Sequence, residues 1–382
     1  MIRIESPENC CGCTACESVC PHQAIVMEPD VLGFLYPKVN EDKCVDCGAC
    51  DKVCQFNDKY DVSQNLKTPV PYAARHKNMS EVMKSRSGAV FAAISDFILE
   101  QGGVVYGVGY KEHFRVVHKR ATTKEERDEF RGSKYVQSDL RGIFRQVKQD
   151  LKEGKLVLFS GTPCQTAGLN AFVGARLREN LYLTDIVCHG VPGPFIWRDY
   201  LDYLERKQGS RIVEVNFRDK EKYGWKAHKE TFKFENGGGR LSFSYLFYQH
   251  ITFRHSCGVC HFTNLKRPSD ITLADYWRWE RTDPNINTDN KGVSLIICNT
   301  EKGAKLFEAI KDRLNVIPAE LPNIMQQQLS MPSAIHPKRM EFEEYYAKHG
   351  FENTMCHFGF MGWMREFQMW KKRIKRKIRT LI

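Results

Sequence analysis

The chain has 382 residues, 42% of them hydrophobic and 27% charged, which is enough for two or three soluble domains. It contains no apolar run of about 18 residues and no apolar leader, so we expect neither a membrane span nor a signal peptide. The formal charge of +11 is uneven, because residues 1–60 hold ten acidic and five basic side chains, whereas residues 363–382 hold one acidic and eight basic. A basic surplus confined to one tail disfavours a nucleic-acid-binding function.

Two cysteine runs near the N-terminus share the spacing C-x2-C-x2-C-x3-C. They comprise Cys10, Cys13, Cys16 and Cys20, and then Cys44, Cys47, Cys50 and Cys54. Such runs bind [4Fe–4S] clusters, and in two-cluster ferredoxins the fourth cysteine of each run ligates the other cluster. We therefore expect Cys54 to complete the first set and Cys20 the second. A pair of zinc sites is the alternative, since CxxC pairs also bind zinc. Cys11 falls outside the pattern and is expected to be a bystander.

Apolar periodicity and turn residues predict the organisation of the rest of the chain. The expected parts are a two-cluster ferredoxin-like α+β domain (1–58), a polar linker (59–71), an α/β core (72–320) and a C-terminal extension (321–382). Within the core we expect strands at 156–160 and 181–187, a helix at 194–206, and antiparallel strands within 212–247.

Four later cysteines are placed where a site could form. Cys164 and Cys188 each follow a predicted strand, at the end where α/β proteins bind ligands, and Cys257 and Cys260 form a CxxC motif. Four thiolates are enough for a third cluster. Buried structural cysteines are the alternative.

Several stretches in this order resemble the coenzyme F420 hydrogenase/dehydrogenase beta-subunit family. They are SRSGAVFAAI, FRGSKYVQS, FSGTPCQTAGL, LTDIVCHGVP and SCGVCHFTNLKRPSDITLADYW. The resemblance implies an FAD beside a [4Fe–4S] cluster whose ligands are Cys164, Cys188, Cys257 and Cys260. Relatives reduce F420 or a tetrapyrrole, and this chain is similar to variants that carry their own ferredoxin unit.

A flavin diphosphate requires backbone N–H groups, which a helix N-terminus or a glycine turn provides. The candidate flavin-binding residues are Ser87, Gly88, Gly132, Ser133, Lys134, Tyr135, Gly161, Thr162 and Asp275. Each of these residues could equally be a plain turn or cap. Asp275 follows Ala274, where many relatives of the family have glycine. His189, Lys134 and Tyr135 are candidate proton donors.

The last residues alternate apolar and basic positions at helical spacing, from Phe360 to Leu381. This pattern predicts a basic amphipathic helix that either lies on an anionic membrane surface or docks on protein. Fifteen cysteines without an export signal indicate a reducing, cytoplasmic location.

The sequence therefore predicts an iron–sulfur flavoprotein oxidoreductase. The acidic N-terminal lobe suits a reduced carrier, such as ferredoxin, that docks through charge. Electrons would pass through the clusters to FAD and a small organic substrate, or in the reverse direction. A non-catalytic electron-transfer subunit of a hydrogenase or dehydrogenase complex is the alternative.

Overall fold

The computed structural model describes residues 1–56, 60–239, 243–362 and residue 365. Of the predicted amphipathic helix of the tail, residues 363, 364 and 366–382 lie outside the described residues. Within the described ranges, no helix is both long and apolar enough to cross a membrane.

Residues 1–56 form a small unit of two short helices and a hairpin: α1 (Ala15–Val19), β1 (Ile25–Pro29), β2 (Leu35–Val39) and α2 (Ala49–Lys52). The strands are antiparallel, with Ile25 opposite Val39. Each helix follows a residue in the left-handed region, Thr14 (φ +66°) or Gly48 (φ +71°). These two residues hold the same position in the two cysteine runs, so both runs curl in the same way.

The remaining chain is a mixed α/β structure. Its strands are β3 (Asn65–His76), β4 (Val104–Lys111), β5 (Arg115–Ala121), β6 (Val157–Gly161), β7 (Leu181–Ile186), β8 (Ile212–Asn216), β9 (Thr231–Phe234), β10 (Gly237–Gly239), β11 (Ile271–Asp275), β12 (Ser294–Thr300) and β13 (Leu314–Pro318). Its helices are α3 (Met79–Lys84), α4 (Val90–Glu100), α5 (Lys124–Asp128), α6 (Ile143–Lys152), α7 (Pro163–Val173), α8 (Pro194–Gln208), α9 (Lys220–Tyr223), α10 (Ser244–Gln249), α11 (Glu301–Ile310), α12 (Leu321–Ile324) and α13 (Arg339–His357).

Eight strands form the central sheet, in the order β13-β3-β12-β11-β7-β6-β4-β5. The four neighbours β11, β7, β6 and β4 are parallel, so their carboxyl ends share one edge of the sheet. Side chains alternate between the two faces of β6. Leu158 packs with α4 and α11, whereas Val157 and Phe159 pack with α6 and α7.

The N-terminal unit lies on the α6–α7 side of this sheet. Ala15 and Val53 belong to the same buried apolar group as Phe144, Leu169 and their neighbours on that face. A second sheet, β10-β9-β8, packs with α8, α10 and α13 around Trp197. The two cysteine-rich regions of the sequence are thereby brought together.

The structure confirms the expected α/β character but differs from the expectations in two places. The predicted linker contains the start of β3. In this part, up to Pro71, β3 pairs with β12 alone, because β13 pairs with β3 only from Tyr72 onward. Prolines are tolerated there because one side of the strand is free. Helix α10 begins at Ser244, inside the stretch 212–247 that was expected to be antiparallel strands.

Candidate functional site

The inner set of thiols comprises Cys10, Cys13, Cys16 and Cys54. Burial raises the pKa of Cys16 and of Cys54, and in each case the nearby Cys13 and Cys10 raise it further. The four thiols therefore lie close enough to interact electrostatically. The Gly12 N–H points at the Cys10 Sγ, with an N···S distance of 3.4 Å.

The outer set comprises Cys20, Cys44, Cys47 and Cys50. These residues line one cavity of about 360 Å³, including its open mouth. The Ile2 N–H donates to Cys50 Sγ (3.2 Å) and the Ala24 N–H to Cys20 Sγ (3.3 Å). Cys47 is exposed, so this cavity lies at the protein surface.

The fourth cysteine of each run lies with the other run. Helix α1 carries the chain from the inner set to Cys20, and α2 carries it from the outer set to Cys54. This is the arrangement that the spacing predicts for a two-cluster unit.

The core set comprises Cys164, Cys188, Cys257 and Cys260, which line a second cavity of about 490 Å³. Cys164 lies in the first turn of α7, directly after β6, and Cys188 follows the end of β7. Because β6 and β7 are parallel neighbours, their ends bring these two thiols to one edge. Cys257 lies in a short 3₁₀ helix (His255–Val259), and Cys260 directly follows it. Burial raises the pKa of Cys257 to about 12 and that of Cys260 to about 11.

A buried ion pair holds the segment 257–260 against the sheet. Arg267 is 1% exposed and contacts Asp185 of β7 at 3.1 Å. The same guanidinium donates to the carbonyl groups of Ile186 (2.9 Å) and Phe262 (2.5 Å). It thereby ties the end of β7 to the segment that follows Cys260.

The inner and core sets are adjacent. Cys13 and Cys54 share one apolar group with Cys164 and Cys260, around Phe56 and Phe262. Gly168 of α7 allows this approach, because a Cβ there would lie 2.7 Å from the Cys13 Sγ. Cys11, expected to be a bystander, is buried against both sets and also lines the core cavity. A hydrogen bond from Cys11 lowers the pKa of Cys164.

A group of largely buried polar and aromatic side chains, which we call the polar pocket, lies beside the core cavity and meets it at His189. Its members are Arg86, Tyr135, His189, Arg218, Trp225, His228 and Asp275. Arg218, 2% exposed, forms an ion pair with Asp275 at the end of β11, and the Trp225 indole donates to the same carboxylate (3.0 Å). Burial alone would raise the pKa of Asp275, but the Arg218 guanidinium holds it below its usual value. Arg86 lies near this pair, and burial together with Arg218 lowers its pKa to about 10.

Aromatic rings pack around these polar groups. Tyr135 contacts Phe217 and Phe247, and the His228 ring lies 5.3 Å from Trp277. His189 lines the core cavity and also faces Phe247, with ring centroids 6.2 Å apart. His189 therefore stands between the core thiols and the rest of the polar pocket.

Two predicted diphosphate sites use their N–H groups within the protein. The Gly88 N–H donates to Ser294 Oγ (2.9 Å), and the Ser87 hydroxyl donates to the Val293 carbonyl. The Thr162 N–H donates to Gln165 Oε1 (2.9 Å), and the Thr162 hydroxyl contacts Cys164 Sγ. Gly161 precedes it as the last residue of β6. These residues pack the sheet edge and the thiol cavity.

The Gly132-Ser133-Lys134 loop leads to the polar pocket. Gly132 (φ +78°) lies beside Arg86. A Cβ placed on this glycine would be 3.8 Å from the Arg86 Nη2. The Lys134 ammonium donates to the carbonyl groups of Glu129 (2.5 Å) and Arg131 (3.3 Å). Burial lowers the pKa of Lys134 to about 7. Of the sequence-predicted flavin residues, this loop, Tyr135 and Asp275 are thus grouped around one pocket.

Sequence reasoning missed several members of the site. They are Cys11, Arg86, Arg218, Trp225, His228, Tyr248, whose hydroxyl contacts the His228 ring, and Arg254, which lines the core cavity. Most are single residues in loops, which carry no periodic or spacing signal. Arg86 and Arg254 stand next to recognised motifs, at SRSG and before SCGVC, and that proximity was the only available signal.

Two family models match the parts of the chain that carry the thiol sets. Residues 9–57 match the 4Fe-4S dicluster domain, and residues 154–321 match the family described as the C terminus of the coenzyme F420 hydrogenase/dehydrogenase beta subunit. A search of curated proteins finds no match. Among solved structures, the chain is similar to one in the xenon-derivatised F420-reducing [NiFe] hydrogenase complex from Methanosarcina barkeri. The two share 15% identity over 77% of this chain and 91% of that chain, with a TM-score of 0.47.

The thiol sites and the family matches define an iron–sulfur protein of the electron-transferring oxidoreductase class. Within that class, residues 154–321 are similar to the coenzyme F420 hydrogenase/dehydrogenase beta-subunit family and follow a segment that matches a 4Fe-4S dicluster domain. The resemblance seen in the sequence motifs is confirmed.

Proposed function

We propose that this protein is an iron–sulfur flavoprotein oxidoreductase with three [4Fe–4S] clusters and one FAD. The observation that carries the proposal is the order of the sites. The outer set lies at the surface, the inner set lies between, and the core set lies beside a polar aromatic pocket. A row of this kind suits electron input at one end and chemistry at the other.

The outer set is the proposed input point. Cys47 is exposed and Val45 beside it is 61% exposed, so a carrier protein could approach this cavity closely. The ten acidic residues of positions 1–60 would attract a carrier with a basic docking face. We propose ferredoxin or a similar small redox protein as that carrier.

The polar pocket is the proposed flavin and substrate site. The Nε atoms of Arg86 and Arg218 are buried and have no hydrogen-bond partner in the described part of the chain. Buried guanidinium groups of this kind suit an anionic group such as a diphosphate. Bound FAD would exchange single electrons with the clusters and electron pairs with an organic substrate. Arg218 and Asp275 would orient it, the aromatic walls would exclude water, and Lys134, Tyr135 and His189 are the candidate proton donors.

The test is to mix anaerobically purified protein with chemically reduced ferredoxin and follow the flavin absorbance. The proposal predicts bleaching of the flavin, followed by its return when F420, a tetrapyrrole or another oxidised organic substrate is added. Bleaching without turnover of any small acceptor, together with a stable complex with another protein, would favour the electron-transfer subunit instead. Absence of flavin from the purified protein would contradict the proposal.

A further inference from the structure

Arg254 is a buried cation that lies between the inner and core thiol sets. Its side chain is 1% exposed. It lines the core cavity, and its own N–H and C=O link it to that cavity's wall through Val191 and Cys257. From this position the guanidinium extends into the N-terminal unit.

The hydrogen bonds of Arg254 connect the loop of the inner set, strand β2 and Gln137 of the core. Nε donates to the Cys10 carbonyl (2.7 Å), Nη2 to the Leu35 carbonyl (2.9 Å) and Nη1 to Gln137 Oε1 (3.1 Å). Gln137 in turn donates to the Cys11 carbonyl (2.9 Å). Gly12 permits this approach, since a Cβ there would lie 2.8 Å from Arg254 Nη1.

These acceptors are all uncharged oxygen atoms, and in the described ranges no Asp or Glu forms an ion pair with Arg254. The flanking rings of Tyr36 (4.1 Å) and Phe34 (5.4 Å) supply only their π faces. A buried charge without an opposite charge is costly. The ionisable groups nearest to Arg254 include thiols of both sets, Cys10 on one side and Cys257 on the other, which would carry negative charge as ligands of bound clusters.

We propose that Arg254 is the shared counter-cation of the inner and core clusters, and that it raises the reduction potential of both. This inference rests on the proposed function, because it requires clusters on those two sets. A positive charge stabilises the reduced, more negative cluster, and the effect is strong where water is excluded. The outer cluster, at the far side of the N-terminal unit, lies beyond this influence. Arg254 thereby raises the potentials of the inner and core clusters together, which favours electron transfer from the outer cluster to this pair.

The test is an anaerobic redox titration followed by electron paramagnetic resonance, comparing Arg254→Met with the unaltered protein. The signal of each cluster is identified beforehand by its loss in Cys20→Ala, Cys54→Ala and Cys188→Ala. We expect the equilibrium constant for reduction to fall at least tenfold at the inner and core clusters, or about 59 mV for a one-electron couple. The outer cluster should not move. Equal shifts at all three clusters, a shift at one of the pair only, or no shift would overturn the proposal.

Two further variants separate charge from anchoring. Arg254→Lys keeps the charge and loses the forked hydrogen bonds. Its inner and core potentials should therefore shift by less than half as much as those of Arg254→Met. If Lys behaves like Met, Arg254 acts only as an anchor. Gln137→Glu places a carboxylate on the intact guanidinium and should lower the same two potentials. If Arg254→Met does not take up its clusters, Gln137→Glu alone tests the proposal.

Arg127 provides the matched control. It is also 1% exposed, but it pairs with Asp96 at 2.6 Å beneath α4, away from the cavities. Arg127→Met should leave all three potentials unchanged. Iron and sulfide analysis distinguishes the two failures, since missing clusters contradict the proposed function, whereas full clusters with unmoved potentials contradict only the role of Arg254.

Discussion

The outer cavity and the core cavity each bring four thiols together, but they are built in opposite ways. The outer cavity takes three thiols from seven consecutive residues, and two left-handed residues, Asp46 and Gly48, curl the loop around them. The core cavity takes its thiols from the ends of two parallel strands and one distant turn. The first kind of site is a local property of the chain, whereas the second exists only after the sheet has formed.

This difference also separates what lies around each cavity. The outer cavity opens to solvent beside exposed Val45 and Cys47. The core cavity borders the inner set on one side and, through His189, the polar pocket of Arg218 and Asp275 on the other. We infer that the first is built for contact with a carrier and the second for delivery to a bound cofactor.

The largest expected effect comes from breaking the core set. Cys188→Ala should remove about four irons per chain, because a cubane lacking one of its four thiolates is not retained. It should also abolish flavin bleaching by reduced ferredoxin, since the relay then ends at the inner set. Iron analysis and flavin absorbance measure both.

Cys298→Ala is the control for this variant. Cys298 is buried in β12 within the apolar face of the sheet, away from the thiol cavities. Its replacement should leave the iron content unchanged. Iron content that stays the same in Cys188→Ala would show that the core thiols are structural residues.

The exchange of fourth cysteines can be tested within the N-terminal unit. Cys20→Ala should remove the cluster of the outer set and leave that of the inner set, and Cys54→Ala should do the reverse. Each variant loses about four irons but keeps the core cluster. The paramagnetic signals of the two variants should differ. If Cys20→Ala instead abolished the signal that depends on Cys10, each run would hold its own cluster.

The pocket behind the core cavity should depend on its ion pair. Arg218→Met leaves the Asp275 carboxylate buried and unpaired, so the free energy of unfolding should fall by about 3–5 kcal/mol. Flavin retention should fall with it. Urea unfolding and flavin extraction measure the two effects.

The exposed pair of Arg206 and Glu352 gives a comparison. Arg206→Met should cost no more than about 1 kcal/mol. Replacing both partners in the pocket, Arg218→Met with Asp275→Leu, should recover much of the lost stability, because no buried charge then remains. A cost below about 1 kcal/mol for Arg218→Met alone would contradict the pocket as described.

The smallest effect concerns pH. Burial lowers the pKa of Lys134 to about 7, from an ordinary value of 10.5. Between these two values the unfolded chain binds more protons than the folded one, so stability should rise with pH in this window. Lys134→Met lacks this gain. Its free energy of unfolding, measured relative to that of the unaltered protein, should therefore fall from pH 7 to pH 9. The exposed Lys152→Met serves as control, and a difference that does not vary with pH would contradict the prediction.

The same contrast explains how much could be predicted from the sequence. The N-terminal thiol sets could be proposed from spacing alone, because a short loop determines its own geometry. Cys164 and Cys188 could be placed because strand ends in α/β proteins are recurrent ligand sites, and the family motifs supported them.

The polar pocket could not be assembled in this way. Arg218, His228 and Asp275 come from separate segments, and only the fold brings them together. Glycine also has two uses that the sequence does not distinguish. Gly88 suggested a diphosphate cradle, but a Cβ there would lie 2.2 Å from the Ala74 carbonyl, so the residue is needed for close packing of the sheet.

The most direct test of the account is the content of iron, acid-labile sulfide and flavin in the anaerobically purified protein. Three clusters predict about twelve irons and about twelve sulfides per chain, four for each cubane, together with one FAD. About eight irons without flavin would contradict the account, since the N-terminal sets alone would then carry clusters. In that case the core cavity would be a packed structural region, and the protein would be an electron carrier without a flavin site.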